Sequence, residues 1–459
     1  MKKKFLTFFI ASLASASAFS MDLHEALTSA YKNNSELKLK REEYLRTIEQ
    51  YPQALAEFMP KIAANLSKSK GSTKDHVPTP LGDHSTKHYG KTIKKAITLE
   101  QPLFNGGGSV AGLQAAKLAY LAAKSTLESE EQHVFLKVIE SYLKYIEAQE
   151  NYDVADKSVK AFVKHLEATE QKYKLGESTK TEVAQAKSAL AGAKAEKAVS
   201  YARLQAQKAD FRNIIGAEPV SVKMPSLPND LPVNFDSLLS KSKSNHPDIS
   251  AVKYTAEAQK YGTYTAKSSL LPSASLALRA ENDRNRTKRK ADPEDLRSRK
   301  RESSRSATVS LHIPIFEKGG AEYSKIRQQK SKARAAALSH ESAVESLIKE
   351  CIATWEGHIA TKERVNLVKD QVAAASLALE GVKQEEALGN KTVLDVLNAQ
   401  NELYKAQIAS IQAKKENVFM AYKIQSLLGT LTAQAMKLKV DKFDAEQEFN
   451  KIKHKLIGY

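Results

Sequence analysis

Cysteine is almost missing from this chain of 459 residues. Its one thiol, Cys351, has no partner for an internal disulfide, and no cysteine pair offers a structural zinc site. Glycine and proline are sparse, at 18 and 13 residues, which excludes collagenous and low-complexity chains. After the N-terminal segment, no stretch reaches the roughly eighteen uninterrupted apolar residues of a spanning helix, so any membrane insertion by the rest of the chain is not helical. Acids are outnumbered, 53 against 71 Lys and Arg, for a formal charge of +18; a highly acidic solvating protein is excluded. The bases are dispersed along helical patterns, which reads as a solvated face and not as a nucleic-acid surface. The 11 histidines lack metal-binding spacing and no nucleophile–base signature stands out, so neither an enzyme nor a metal or other cofactor is expected. Gly90-Lys91-Thr92 is an incomplete phosphate loop, with Ser85 where the first glycine belongs.

What is present begins with an address. Lys2, Lys3 and Lys4 precede the mainly apolar run Phe5 to Leu13, and Ala16-Ser17-Ala18 supplies a small-x-small cleavage pattern. Residues 1–18 read as a secretory signal peptide, with cleavage as late as residue 20, and the mature protein is exported.

The mature chain contains itself twice at an offset of about 212 to 213 residues. Asn33-Asn34-Ser35-Glu36-Leu37 matches Asn245-His246-Pro247-Asp248-Ile249, and Pro102-Leu103-Phe104 matches Pro314-Ile315-Phe316. Leu175-Gly176 matches Leu388-Gly389, and Ile215-Gly216 matches Leu428-Gly429. The first repeat spans 19–225 and the second 226–435, leaving 436–459 as a C-terminal tail, equatorial or disordered.

Within each repeat the hydrophobic period changes twice. Helical patterns at 22–57 and 236–270 end at Pro60 and Pro272. Alternation then marks strands, with Ile62, Ala64 and Leu66 in one and Ala274, Leu276 and Leu278 in another. Their partners carry Ile97 and Leu99, and Ala307, Val309 and Leu311. Polar segments 69–90 and 281–304 join each pair and read as long loops. Very long helices follow at 109–174 and 320–387, each of about 100 Å at 1.5 Å per residue. In the first, Val159, Phe162, Leu166, Thr169 and Tyr173 make a coiled-coil seam. Gly176 and Gly389 end these helices, and return helices run to Gly216 and Gly429. Cys351 and Trp355 lie one turn apart and read as packing. Four amphipathic strands are too few to close a barrel and leave open edges, so several chains must pool strands.

Gln101-Pro102-Leu103-Phe104-Asn105-Gly106-Gly107, the segment Leu388-Gly389-Asn390-Lys391-Thr392-Val393-Leu394-Asp395-Val396-Leu397-Asn398-Ala399, and Leu427-Leu428-Gly429-Thr430-Leu431 resemble the TolC-like outer-membrane efflux proteins. The resemblance covers nearly the whole mature chain. It implies a mainly α fold with β: a trimeric outer-membrane β-barrel of four strands per chain, continued by a long α-helical coiled-coil barrel in the periplasm. It also implies a passive exit duct for type I secretion and tripartite multidrug efflux, working with a periplasmic adaptor and an inner-membrane transporter. A periplasmic adaptor itself is the alternative, but it would carry one hairpin between lipoyl-like β segments, whereas here two hairpins each follow a strand pair.

The resemblance also nominates residues. Asp395 matches an acidic ring that narrows and selects at the periplasmic entrance, and Asn398 stands where the pattern has its second acid. Glu182 and Lys391 occupy the places of a closed-state latch between the two hairpins. Glu386 replaces a tyrosine often found three residues before the second tip glycine, which removes one latch bond. Gly176 and Gly389 match the tips where adaptor hairpins dock. As plain structure, Asp395 is a helix-start acid, Glu182 and Lys391 are solvated charges, and both glycines let a helix end.

Overall fold

The alternation of helical and two-residue periods is carried into a computed structural model that describes residues 21–79, 82–290, 296–455 and 458. The expected signal peptide and its cleavage point lie outside the described residues. Short helices α1 (Leu23–Asn33), α2 (Ser35–Ile48) and α3 (Gln50–Ala56) lead into β1 (Lys61–Thr79) and β2 (Gly82–Asn105). Helix α4 (Gly108–Lys174) and its return α5 (Lys180–Ile215) complete the first repeat. The second follows the same order: α6 (Phe235–Asn245), α7 (Pro247–Ser268), β3 (Ser273–Lys290), β4 (Leu296–His312), α8 (Ala321–Ala387) and α9 (Val393–Leu427). Helix α10 (Ala445–Ile452) lies in the C-terminal tail. No helix among the described residues is long and apolar enough to cross a membrane.

Contacts divide the chain into two units. The first takes residues up to Glu43, Ser125–Ser250 and Ala343–Phe443. Its largest buried side chains include Tyr142, Phe135 and Phe211. The Tyr142 hydroxyl donates to the Lys223 carbonyl at 2.9 Å, and burial pushes its pKa up to about 12. Cys351 is fully buried among Leu238, Ile249, Leu347 and Ile424, with Trp355 packed against them, which makes it a core residue. The duplicated sequence anchors meet here in space. Gly216 and Gly429 both adopt φ 75°, and a Cβ added at them would meet Asn33 Cβ at 3.1 Å and Asn245 O at 2.7 Å. Each repeat therefore seats its closing glycine on its own helix-breaking asparagine, where a side chain has neither the backbone region nor the room.

The second unit takes Tyr44–Lys124, Ala251–Ser342 and Asp444–Tyr459. In it Phe449 of α10 stacks on Tyr120 at 3.8 Å and meets Tyr51 edge-on at 5.2 Å. The unit holds one antiparallel sheet in the order β1-β2-β3-β4. The polar segments expected as loops are strand instead. Pairing runs on through Gly71 opposite Gly90 to Thr79 opposite Gly82, and β3 pairs with β4 as far as Arg289 opposite Leu296. The ladder satisfies backbone groups whatever the side chains are, so a polar stretch with nothing to break it continues a strand that has already begun.

Register places the alternating apolar sets of all four strands, Ile62 and Leu66, Ile97 and Leu99, Leu276 and Leu278, and Val309 and Leu311, on one face. Ile62, Leu99, Leu278 and Ala307 lie side by side across the sheet. This face stays open: Ile62, Leu66, Val309 and Leu311 are all more than half exposed. Nearer the hairpin turns the same face changes character. Lys70, Lys91, Arg286 and Arg299 form one row of four cations, and the row before it carries Lys68, Arg284 and Arg301 around Ile93.

Candidate functional site: the helix-hairpin tips

Both tips lie in the first unit and share one construction. At the end of α4 the Gly176 N–H donates to the Tyr173 carbonyl at 3.1 Å and the Glu177 N–H to the Lys172 carbonyl at 2.9 Å. At the end of α8 the Gly389 N–H donates to Glu386 O at 3.0 Å and the Asn390 N–H to Glu385 O at 2.9 Å. With φ of 82° and 80° at the glycines, both are Schellman motifs, which satisfy the last helical carbonyls and turn the chain. Nothing lies within 4 Å of a Cβ added at either glycine. The leucines before them, Leu175 and Leu388, are 75% and 77% exposed. Two equivalent leucines in open solvent were signalled by the repeat but missed as functional candidates; they give each tip an apolar point.

The return helices start alike. The Thr179 N–H donates to Glu182 Oε2 at 2.7 Å while the Glu182 N–H donates to Thr179 Oγ1 at 3.2 Å. In the second repeat the Thr392 N–H donates to Asp395 Oδ2 at 2.9 Å and the Asp395 N–H to Thr392 Oγ1 at 3.3 Å. These are two capping boxes. Glu182 and Asp395, nominated for different roles, are thus the same position in the two repeats. Backbone donation holds each carboxyl below its ordinary pKa, helped at Asp395 by the Thr392 hydroxyl and the nearby Lys391 charge. Asp395 therefore carries its negative charge at the start of α9, with Asn398 exposed one turn further on.

The expected Glu182–Lys391 link is not formed within the chain. The Glu182 carboxylate takes further hydrogen bonds from the Ser178 and Thr179 hydroxyls, and Lys391 is exposed. Among the described residues, the ion pair that joins the two tips is Lys172 Nζ to Glu386 Oε1 at 2.7 Å. Glu386, expected to remove a bond, supplies this one. Its side chain is 17% exposed and that of Lys172 35%. Below the tips, Phe162 of α4 packs with Val393 and Leu397 of α9, and Ala189, Leu190 and Ala193 of α5 pack against them. The seam expected on α4 is buried at Phe162 and Thr169, but Tyr173 is 47% exposed and lies beyond it. No group of His, Cys, Asp or Glu among the described residues is placed to hold a metal.

Comparisons with known proteins follow the duplication of the chain. The family described as "Outer membrane efflux protein" matches residues 26–217 and 238–430, one segment for each repeat. The Outer membrane efflux protein BepC of Brucella suis biovar 1 is 28% identical over 446 residues, 97% of this chain and 93% of its own length. The Proteases secretion protein PrtF of Dickeya chrysanthemi is 21% identical over 462 residues, covering 98% of this chain and 97% of its own. The crystal structure of the Campylobacter jejuni CmeC outer membrane channel shares the fold, with a TM-score of 0.77 at 17% identity over 95% of this chain and 90% of that one. The chain belongs to the outer membrane efflux protein family.

Proposed function

We propose that three copies of this chain form one outer-membrane exit duct, closed at rest by the helix tips and opened by an energised partner. One observation carries assembly from several copies, with the number three taken from the family resemblance: the sheet has four strands, and β1 and β4 are its edge strands. In lipid an open edge leaves backbone groups unsatisfied, so the edges must meet those of other copies. Three copies pool twelve strands, and the exposed apolar face becomes the lipid-facing wall.

At the tips, the Lys172–Glu386 pair ties the two hairpins of one chain and acts as the closed-state latch. Asp395 is the gate acid: three copies around the threefold axis concentrate negative charge in a narrow passage, which favours cations. Asn398 adds a polar ring without charge. The open surroundings of Gly176 and Gly389, with Leu175 and Leu388 beside them, suit docking of a periplasmic adaptor that links the duct to an inner-membrane transporter. The names of BepC, an efflux protein, and PrtF, a proteases secretion protein, support efflux and protein secretion as the two kinds of export.

The test is assembly followed by conductance. Purified outer-membrane protein runs as a heat-sensitive trimer and gives a small, cation-favouring conductance in planar bilayers. A detergent-free, water-soluble single copy would overturn the reading.

A further inference from the structure

The row of four cations on the apolar face has no role in the duct as described. We propose that this face binds the phosphate groups of outer-leaflet lipids through a basic belt centred on Lys70, Lys91, Arg286 and Arg299. The proposal rests on the sheet standing in the outer membrane, with its hairpin turns outward.

Position supports it first. The apolar residues of the face run from the level of Leu311 to that of Leu66, whose row also carries Lys95, Asn282 and Ser303. From Ser303 to Leu311 of β4 that is nine residues, about the length with which a tilted strand crosses the hydrocarbon of a bilayer. The belt begins at the next row of the same face, where lipid headgroups lie. The charges below the belt on this face are Lys95, in the Leu66 row, and Arg305, one row lower on the edge strand; both side chains are long enough to carry their charge toward the belt.

Charge supports it next. Lys70 is directly opposite Lys91, Lys91 opposite Arg286, and Arg286 opposite Arg299. Like charges placed directly across strands repel and destabilise the sheet. From the base of the sheet out to the level of Asp75 acids are available in the same strands, namely Asp75, Glu100, Glu281, Asp283 and Glu302, but register places these on the other face. There Lys94 meets Asp283 at 3.4 Å, Arg279 meets Glu281 at 3.0 Å and Lys300 meets Glu302 at 2.9 Å. From the level of Lys68 to that of Lys74, the belt face holds no acidic residue among those described. Charges are therefore neutralised inside the strand set on one face and left in excess on the lipid side, which is the arrangement a layer of anionic headgroups would complete. Arginine at two of the four positions adds planar forks suited to phosphate oxygens.

The test uses the full mature chain in neutral detergent, first shown to be a heat-sensitive trimer so that failure of assembly is distinguished from failure of binding. Mixed micelles carry either a diphosphorylated acylated glucosamine lipid or the same lipid with its phosphates removed. The phosphorylated lipid is expected to bind at least about tenfold tighter, with the gap shrinking as salt rises. Arg286→Gln with Arg299→Gln should weaken it by about 25-fold, at about fivefold for each cation lost beside an anionic surface. The same variant, relieved of repulsion, should melt no lower than the native chain without lipid. Arg286→Lys with Arg299→Lys keeps the charge and retains most of the binding; Lys70→Gln with Lys91→Gln provides the same neutralisation if the arginine pair does not assemble. Equal affinity for the two lipids, or an unchanged gap in the neutralised variant, would overturn the proposal. Competition by inositol hexakisphosphate at the same phosphate concentration would also overturn it, since the belt would then be a site for soluble polyanions.

Discussion

Lys172 of α4 and Glu386 of α8 are 2.7 Å apart, each within the last turn of its helix, so one ion pair bridges the two hairpin tips of the chain. Glu386→Gln keeps the shape and removes the charge. A partly exposed pair contributes on the order of 1 kcal/mol, so the open population should rise about fivefold. Larger single-channel conductance and greater sensitivity to a bulky antibiotic report it. The swap Lys172→Glu with Glu386→Lys should return both to the native level. Native conductance in Glu386→Gln would remove the latch role.

The gate and the cap share Asp395, and two substitutions separate them. Asp395→Asn removes the charge while keeping an acceptor for the Thr392 N–H, whose present bond is 2.9 Å. Thr392→Ala keeps the charge and breaks the Asp395 N–H to Thr392 Oγ1 bond. Cation block in planar bilayers should weaken in Asp395→Asn and persist in Thr392→Ala. Block that follows the cap and not the charge would reduce Asp395 to a helix-start residue.

Much of this was legible in the sequence because periodicity and repeat spacing are local signals. The long helices expected at 109–174 and 320–387 are Gly108–Lys174 and Ala321–Ala387, and the alternating apolar sets share one sheet face. The polar segments misled, since alternation marks a buried or lipid-facing strand and says nothing where both faces are polar; the ladder through Gly71 and Gly90 is a backbone property. At the tips, Glu182 was placed by homology of position, whereas its carboxylate is engaged by Thr179 three residues earlier. The Lys172–Glu386 contact joins residues 214 apart, and no local pattern encodes it.

Two glycines with nearly the same φ should respond differently to alanine. Gly429 and Gly389 have φ 75° and 80°, and a left-handed residue with a side chain costs roughly 1–2 kcal/mol at either. Gly429 has a second problem, because the new Cβ would sit 2.7 Å from the Asn245 carbonyl oxygen, whereas Gly389 faces open space. Gly429→Ala should therefore lower the thermal midpoint clearly more than Gly389→Ala. The latter should assemble normally and lose export through poorer adaptor docking. Equal midpoints would mean that the Asn245 turn yields freely.

His133 sets the acid side of stability in the first unit. Its Nε2 lies 3.7 Å from Asp248 Oδ2, Ser129 also donates to Asp248, and Glu130 and Glu350 are near enough to favour the imidazolium. The Asp248 carboxylate beside it raises the His133 pKa above 6.5 against the opposing effect of burial. A raised histidine stabilises fully below its unfolded value and loses that contribution as pH rises through the folded one. Asp248, lowered chiefly by its interaction with His133, contributes above its unfolded value of 3.8 and loses that as pH falls through the folded one. Both contributions are present together between about pH 4 and 6.5. Partly buried His246, 3.9 Å from Asp248, works in the opposite direction, since burial lowers its pKa and its contribution fades as pH falls. Comparing variants cancels most of that contribution, because burial is the main cause of the His246 shift and the His133 charge the smallest of those named. His133→Gln should lower the thermal midpoint at pH 6 more than at pH 8, while keeping the His246 dependence. Parallel midpoint curves for the variant and the native chain would mean that His133 is solvated and its contact with Asp248 carries no proton linkage.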